Sequence, residues 1–125
     1  MGSRRRHERH GRTPVVFRGR VPAVRSRAQE FARRAGALFA DIRERAAGEL
    51  DSVDLFVDDV PAPEAGLELA CVRPAERSVP AAIVIHRLPV IARCETDAEL
   101  TELLAGVLAD QAGLLTGRDP GDLLR

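Results

Sequence analysis

The chain contains no lysine, no tryptophan and no tyrosine, and a single methionine. With aromatics at 3%, all of them Phe, a core must be built from Leu, Val, Ile and Ala. Every one of the 19 positive charges is arginine. Alongside abundant Ala and Gly, that usage reflects a GC-rich coding bias and says little about a guanidinium-specific task. Two cysteines, Cys71 and Cys94, are too few for a disulfide framework and read as reduced thiols of a cytoplasmic protein. No window approaches 18 consecutive apolar residues, which argues against a transmembrane helix. The basic N-terminus is not followed by an apolar stretch, which argues against a secretory signal. Histidine is scarce: His7, His10 and His86 are the whole supply.

What is present suits one small domain. The chain has 125 residues, 45% of them hydrophobic. Its net charge of zero hides a division. Residues 1–34 hold eleven Arg against Glu8 and Glu30, a balance of +9, and the remaining 91 residues carry −9. Residues 1–25 have Gly and Pro at short intervals and no sustained periodicity, so they read as a basic, flexible arm. Val15, Val16 and Phe17 are the residues able to pin part of it. Residues 26–125 read as the folded domain.

Within the domain the periods are distinct. Ser26 and Gln29 fit a capping box, and Phe31, Ala35, Leu38, Phe39, Ile42 and Ala46 follow as one helical stripe, with Gly48 in the end region. In "VDLFVDDVP", residues 53–61, apolar Val53, Leu55 and Val57 alternate with Asp54, Phe56 and Asp58, as in a strand, and Pro61 and Pro63 stop it. "LELACV", 67–72, is a weaker strand. "AAIVIHRLP", 81–89, is a strong one, rich in β-branched residues and closed by Pro89. Thr96 and Glu99 fit a second capping box. The helix behind it has a predicted buried stripe of Leu100, Leu103, Leu104, Val107, Leu108, Leu114 and Leu115, and ends at Gly117 before Pro120. "DPGDLL" suits a short final turn. The order helix, strands, helix predicts a small α/β (α+β) layer structure with helices packed on a sheet.

Several segments, in this order, resemble the small zincin-like metallopeptidase family of bacteria, in particular its actinobacterial branch. They are "RHERHGRTPVVFRG", "SRAQEF" (the family's "SRAERF"), "VDLFVDDVP" (similar to "VEFAVEDVP"), "IVIHRLPV" (similar to "IVLYRRPI") and "DAELTELLAGVLADQAGLLTG". The resemblance implies a minimal zincin-like fold, with a long N-terminal helix, a small mixed sheet and a C-terminal helix at the position of the metal helix. Intact members carry H-E-x-x-H there. Two His at i and i+4 ligate Zn²⁺ from one side of the helix, and the Glu serves as general base for a zinc-bound water. Aligned on Gly117, Asp110 stands for the first His, Gln111 for the Glu and Leu114 for the second His. Leu114 cannot ligate a metal and Gln111 cannot act as a base. Asp110 alone makes no zinc site.

No other group restores that chemistry from the sequence. Asp119 and Asp122 read as surface acids of a helix end rather than a divalent-ion site. His7 and His10 lie among arginines that oppose a dication. His86 takes the place of the family's Tyr and reads as a structural histidine. Cys71 and Cys94 show no His/Asp companion pattern, and a catalytic thiol requires the fold to bring Cys94 against His86. On a helical wheel Gln111 falls among the leucines, so its amide is expected to find a hydrogen-bond partner. The reading that follows is a zincin-like protein without zinc, cofactor or peptidase activity, acting as a binding or regulatory module for a protein or peptide. Two alternatives stand beside it. One is a nucleic-acid-associated protein using the Arg-rich arm. The other is an active metal-dependent peptidase with unconventional ligands.

Overall fold

The computed structural model describes the backbone of residues 13–14 and the whole of residues 26–60 and 68–125. The arm residues His7, His10, Val15, Val16 and Phe17, together with Pro61 and Pro63, lie outside the described residues. Within the arm, Thr13–Pro14 forms a two-residue strand, β1, on the edge of the sheet.

Helix α1 spans Arg27–Arg45. Its start is the capping box legible in the sequence: the Gln29 N–H donates to Ser26 Oγ at 3.1 Å, and the Ser26 N–H donates to Gln29 Oε1 at 2.9 Å. Phe31, Ala35, Phe39, Ile42 and Ala46 are buried along the predicted stripe, and Leu38 packs beside them half-buried. Beyond the helix the chain turns with Ala47 and Gly48 in the left-handed region, at φ 53° and 95°. That conformation suits Gly48 and strains Ala47.

Three strands follow, β2 (Asp54–Asp58), β3 (Ala70–Arg73) and β4 (Ala82–His86). Strand order is β1-β2-β4-β3, with β2 and β4 parallel and β3 and β4 antiparallel, so the sheet is mixed. Register pairs Leu55 with Ile83 and Val57 with Ile85, and Ala70 with Ile85. These residues form the face turned to the helices, and they join the hydrophobic core or pack against it. Phe56, Val84, Cys71 and His86 belong to the opposite face by the alternation of side chains. As the central strand, β4 is buried along its whole length.

Strand β4 stops at His86, three residues before the expected Pro89. The chain there enters a short helix, α2 (Arg87–Ile91), with Pro89 in its first turn. Proline is tolerated at that place because N–H groups of a first turn have no intrahelical acceptor. Helix α3 spans Asp97–Thr116 and ends at Gly117, left-handed at φ 79°. Its capping box is half made. Thr96 Oγ1 accepts from the Glu99 N–H, but the Glu99 carboxylate accepts from Glu95 N–H, one residue before the cap. A final 3-10 turn, Pro120–Leu123, places Leu123 fully inside the core. The architecture is an α+β fold with a long helix at each end of the described domain.

The buried side of α3 differs from the leucine stripe. Leu104, Val107, Leu108, Ala109 and Ala112 are buried, Leu100, Leu103 and Leu115 are half-buried, and Leu114 is 73% exposed. At about 100° per residue, the buried set centres roughly 80° from Leu100, towards Leu108 and Ala112. The cause is α1. The Arg34 guanidinium donates to the Asp97 carbonyl and to Thr101 Oγ1, which marks the side of α3 on which α1 lies. Ala109 and Ala112 are buried in the core with the larger side chains. The core is set as much by these alanines as by the leucines, and Leu114 is turned out of it.

Candidate functional site

Asp110, Gln111 and Leu114 are dispersed in environment. Asp110 is exposed, Gln111 is half-buried and Leu114 faces solvent. Asp110 and Leu114, four residues apart, share the outward side of α3, as i and i+4 residues must. Among the described residues no group of three metal-capable side chains gathers around Asp110. The Gln111 amide makes no hydrogen bond to any described residue, contrary to the expectation of a partnered glutamine. It sits at the margin of the buried arc, where water reaches it, so no protein partner is required.

Asp110 does line a groove. A cavity of about 640 Å³ runs along the outward side of α3, bordered by Glu99, Glu102, Leu103, Gly106, Val107 and Asp110. Arg93 and Cys94 close one side, and Leu69, at the entry to edge strand β3, closes another. The positions 99, 103, 106 and 110 share one face because their spacing follows the helical period. Three carboxylates face one guanidinium, so the groove carries a net −2. Its floor of Leu69, Leu103 and Val107 is apolar. An acidic rim over an apolar floor fits a cationic chain with aliphatic stems.

Cys94 belongs to this groove and not to His86. Its Sγ–H donates to the Val90 carbonyl at 3.5 Å. Desolvation, and then the Glu99 carboxylate, push the thiol above its ordinary value, which suppresses the thiolate a nucleophile needs. Asp119 and Asp122 have local duties. Asp119 Oδ1 accepts from the Gly121 N–H at 2.9 Å and caps the final turn, and Asp122 lies 4.0 Å from Arg125.

A second constellation was not legible in the sequence. Glu68, Cys71 and His86 bring one carboxylate oxygen, Sγ and one ring nitrogen within 4.8 Å of one another. The sheet assembles it. The His86 N–H donates to the Leu69 carbonyl at 2.9 Å, continuing the β3–β4 ladder by one residue, so Cys71 stands diagonally across from His86 on the same face. A bend at Leu69 interrupts the alternation and lets Glu68 reach the same cluster. His86 is 3% exposed, Cys71 is half-buried and Glu68 is exposed, so burial deepens from the carboxylate to the imidazole. His86 is therefore buried, as a structural histidine would be, yet it keeps company with a thiol and a carboxylate. The only signal available beforehand was polar residues in two strands. Their pairing register, which no local spacing encodes, brings them together.

Among the described residues no helix is long and apolar enough to cross a membrane. Comparison with known protein families and with characterised proteins gives no match, so the fold and the two constellations are the ground on which function must be argued.

Proposed function

We propose that the chain is a non-catalytic, zincin-like binding module that holds an extended basic peptide in the groove along α3. The observation that carries this reading is the acidic, apolar-floored groove beside edge strand β3, bordered by the helix residue that replaces the first metal ligand. Asp110, Gln111 and Leu114 provide neither the paired imidazoles nor the base of a zinc hydrolase. What remains of such a site is a place for a peptide: a helix on one side and an edge strand of the sheet on the other. The same carboxylates repel phosphates, so this surface does not favour a nucleic acid.

Fluorescence anisotropy with a labelled Arg-rich peptide tests the reading. Binding should weaken as salt rises and fall further in the double variant Glu102→Gln, Asp110→Asn, which changes only exposed groove carboxylates. Mass spectrometry of the peptide after incubation should find it intact. Equal affinity in the double variant, or cleavage of the peptide, overturns the reading.

A further inference from the structure

We propose that Glu68, Cys71 and His86 form a binding site for a zinc-like transition-metal ion, on the face of the sheet turned away from the helices and independent of the α3 groove.

The donor set selects the ion. A thiolate sulfur and an imidazole nitrogen are ligands for Zn²⁺, Co²⁺ and copper, whereas Mg²⁺ and Ca²⁺ require oxygen cages. Bonds of about 2.0–2.3 Å place tetrahedral donors roughly 3.3–3.8 Å apart. The donor atoms here lie within 4.8 Å of each other, about 1–1.5 Å at most beyond that spacing. Cys71 and His86 are held by paired strands, which fixes two ligands before the ion arrives. Glu68 is exposed and can swing inward as the third.

Three protein donors leave the fourth tetrahedral position to water or to a small ligand, the pattern of open rather than closed zinc sites. Binding converts the Cys71 thiol to a thiolate and releases one proton to solvent, so affinity rises with pH. Strand β2 places Asp58 in register with His86, which adds to the negative charge on this side of the sheet. The one arginine on the same face of β3, Arg73, lies with its guanidinium over the Phe56 ring, 5.3 Å from the centroid.

Titration with Co²⁺ tests the site directly, because a cobalt–thiolate bond gives a sulfur-to-metal charge-transfer band in the near ultraviolet. One equivalent of Co²⁺ should develop the band in the intact chain, and Zn²⁺ should abolish it by displacement. Cys71→Ser should lose the band with circular dichroism unchanged. Glu68→Gln, an exposed substitution that spares the fold, should weaken cobalt binding at least about tenfold, the lower bound even for an outer-shell partner. Cys94→Ser and Asp110→Asn should leave the band intact. A folded chain that develops no band, a band that survives Cys71→Ser, or one lost in Cys94→Ser overturns the proposal. None of these readouts depends on peptide binding, so the groove and the metal site stand or fall separately.

Discussion

Two regions of this molecule invite a metal in opposite ways. On α3, the positions 110, 111 and 114 have the right helical spacing and the wrong side chains. On the sheet, Glu68, Cys71 and His86 have suitable side chains and no recognisable spacing. The helix site is local, and five residues of chain decide it. The strand site is built by register, since His86 meets Cys71 only because β3 and β4 pair as they do. Ligand geometry is thus readable from sequence where one element supplies it, and hidden where two elements must.

The comparison is broken most forcefully through the packing of α3. If the side carrying Asp110 and Leu114 faces away from the core, Leu108→Ala should cost about 2–5 kcal/mol and Leu114→Ala less than about 0.5 kcal/mol. Chemical denaturation measures both. Equal losses would place Leu114 inside and remove the groove face.

A second test writes an H-E-x-x-H pattern into the helix. In a Cys71→Ser background, the triple variant Asp110→His, Gln111→Glu, Leu114→His should take up zinc weakly and release it to a mild chelator. It should not hydrolyse peptides, because the described residues gather no third ligand and supporting shell around those positions. Tight zinc retention, measured by elemental analysis after chelation, would show that α3 is a nearly complete site.

The two thiols offer a finer contrast. Cys94 should alkylate slowly at neutral pH, its rate rising only above the ordinary thiol range, because burial and Glu99 disfavour its thiolate. Glu99→Gln should speed the reaction a few-fold by removing the smaller of the two causes. Iodoacetamide labelling with mass detection follows each site. A fast Cys94 would contradict the environment described.

The smallest effect is expected at Gln111. With no hydrogen bond to the described residues and water within reach, Gln111→Leu should shift stability by no more than about 0.5 kcal/mol, in the stabilising direction if at all. Thermal unfolding decides it. A loss above about 1 kcal/mol would mean that the amide holds a network after all.

These contrasts also explain what the sequence could tell. The Ser26–Gln29 box, the α1 stripe, the alternation at Val53, Leu55 and Val57, and the Gly117 stop were legible because each is set within a few residues. Leu114 was misplaced because a stripe weighted by side-chain size points to leucines. The buried arc instead includes Ala109 and Ala112, which such a stripe passes over. Pro89 is the obvious stop in the sequence, yet β4 is shorter than it suggests because α2 already begins at Arg87. The Gln111 amide was expected to be partnered on the assumption that it was buried. The rotation of the buried arc, which no single helix encodes, brought it to water. The pairing of Cys71 with His86 was beyond reach for the same reason.

Leu123 closes the core from the last few residues of the chain, while Ile42 on α1 belongs to the same cluster. During synthesis the apolar side of α1 therefore waits for about 80 further residues before its cover is complete. At roughly 5–20 residues per second, that interval lasts about 4–16 s. Until then the row of Phe, Ala and Ile along α1 is only partly covered, by whichever strands and helix have already emerged.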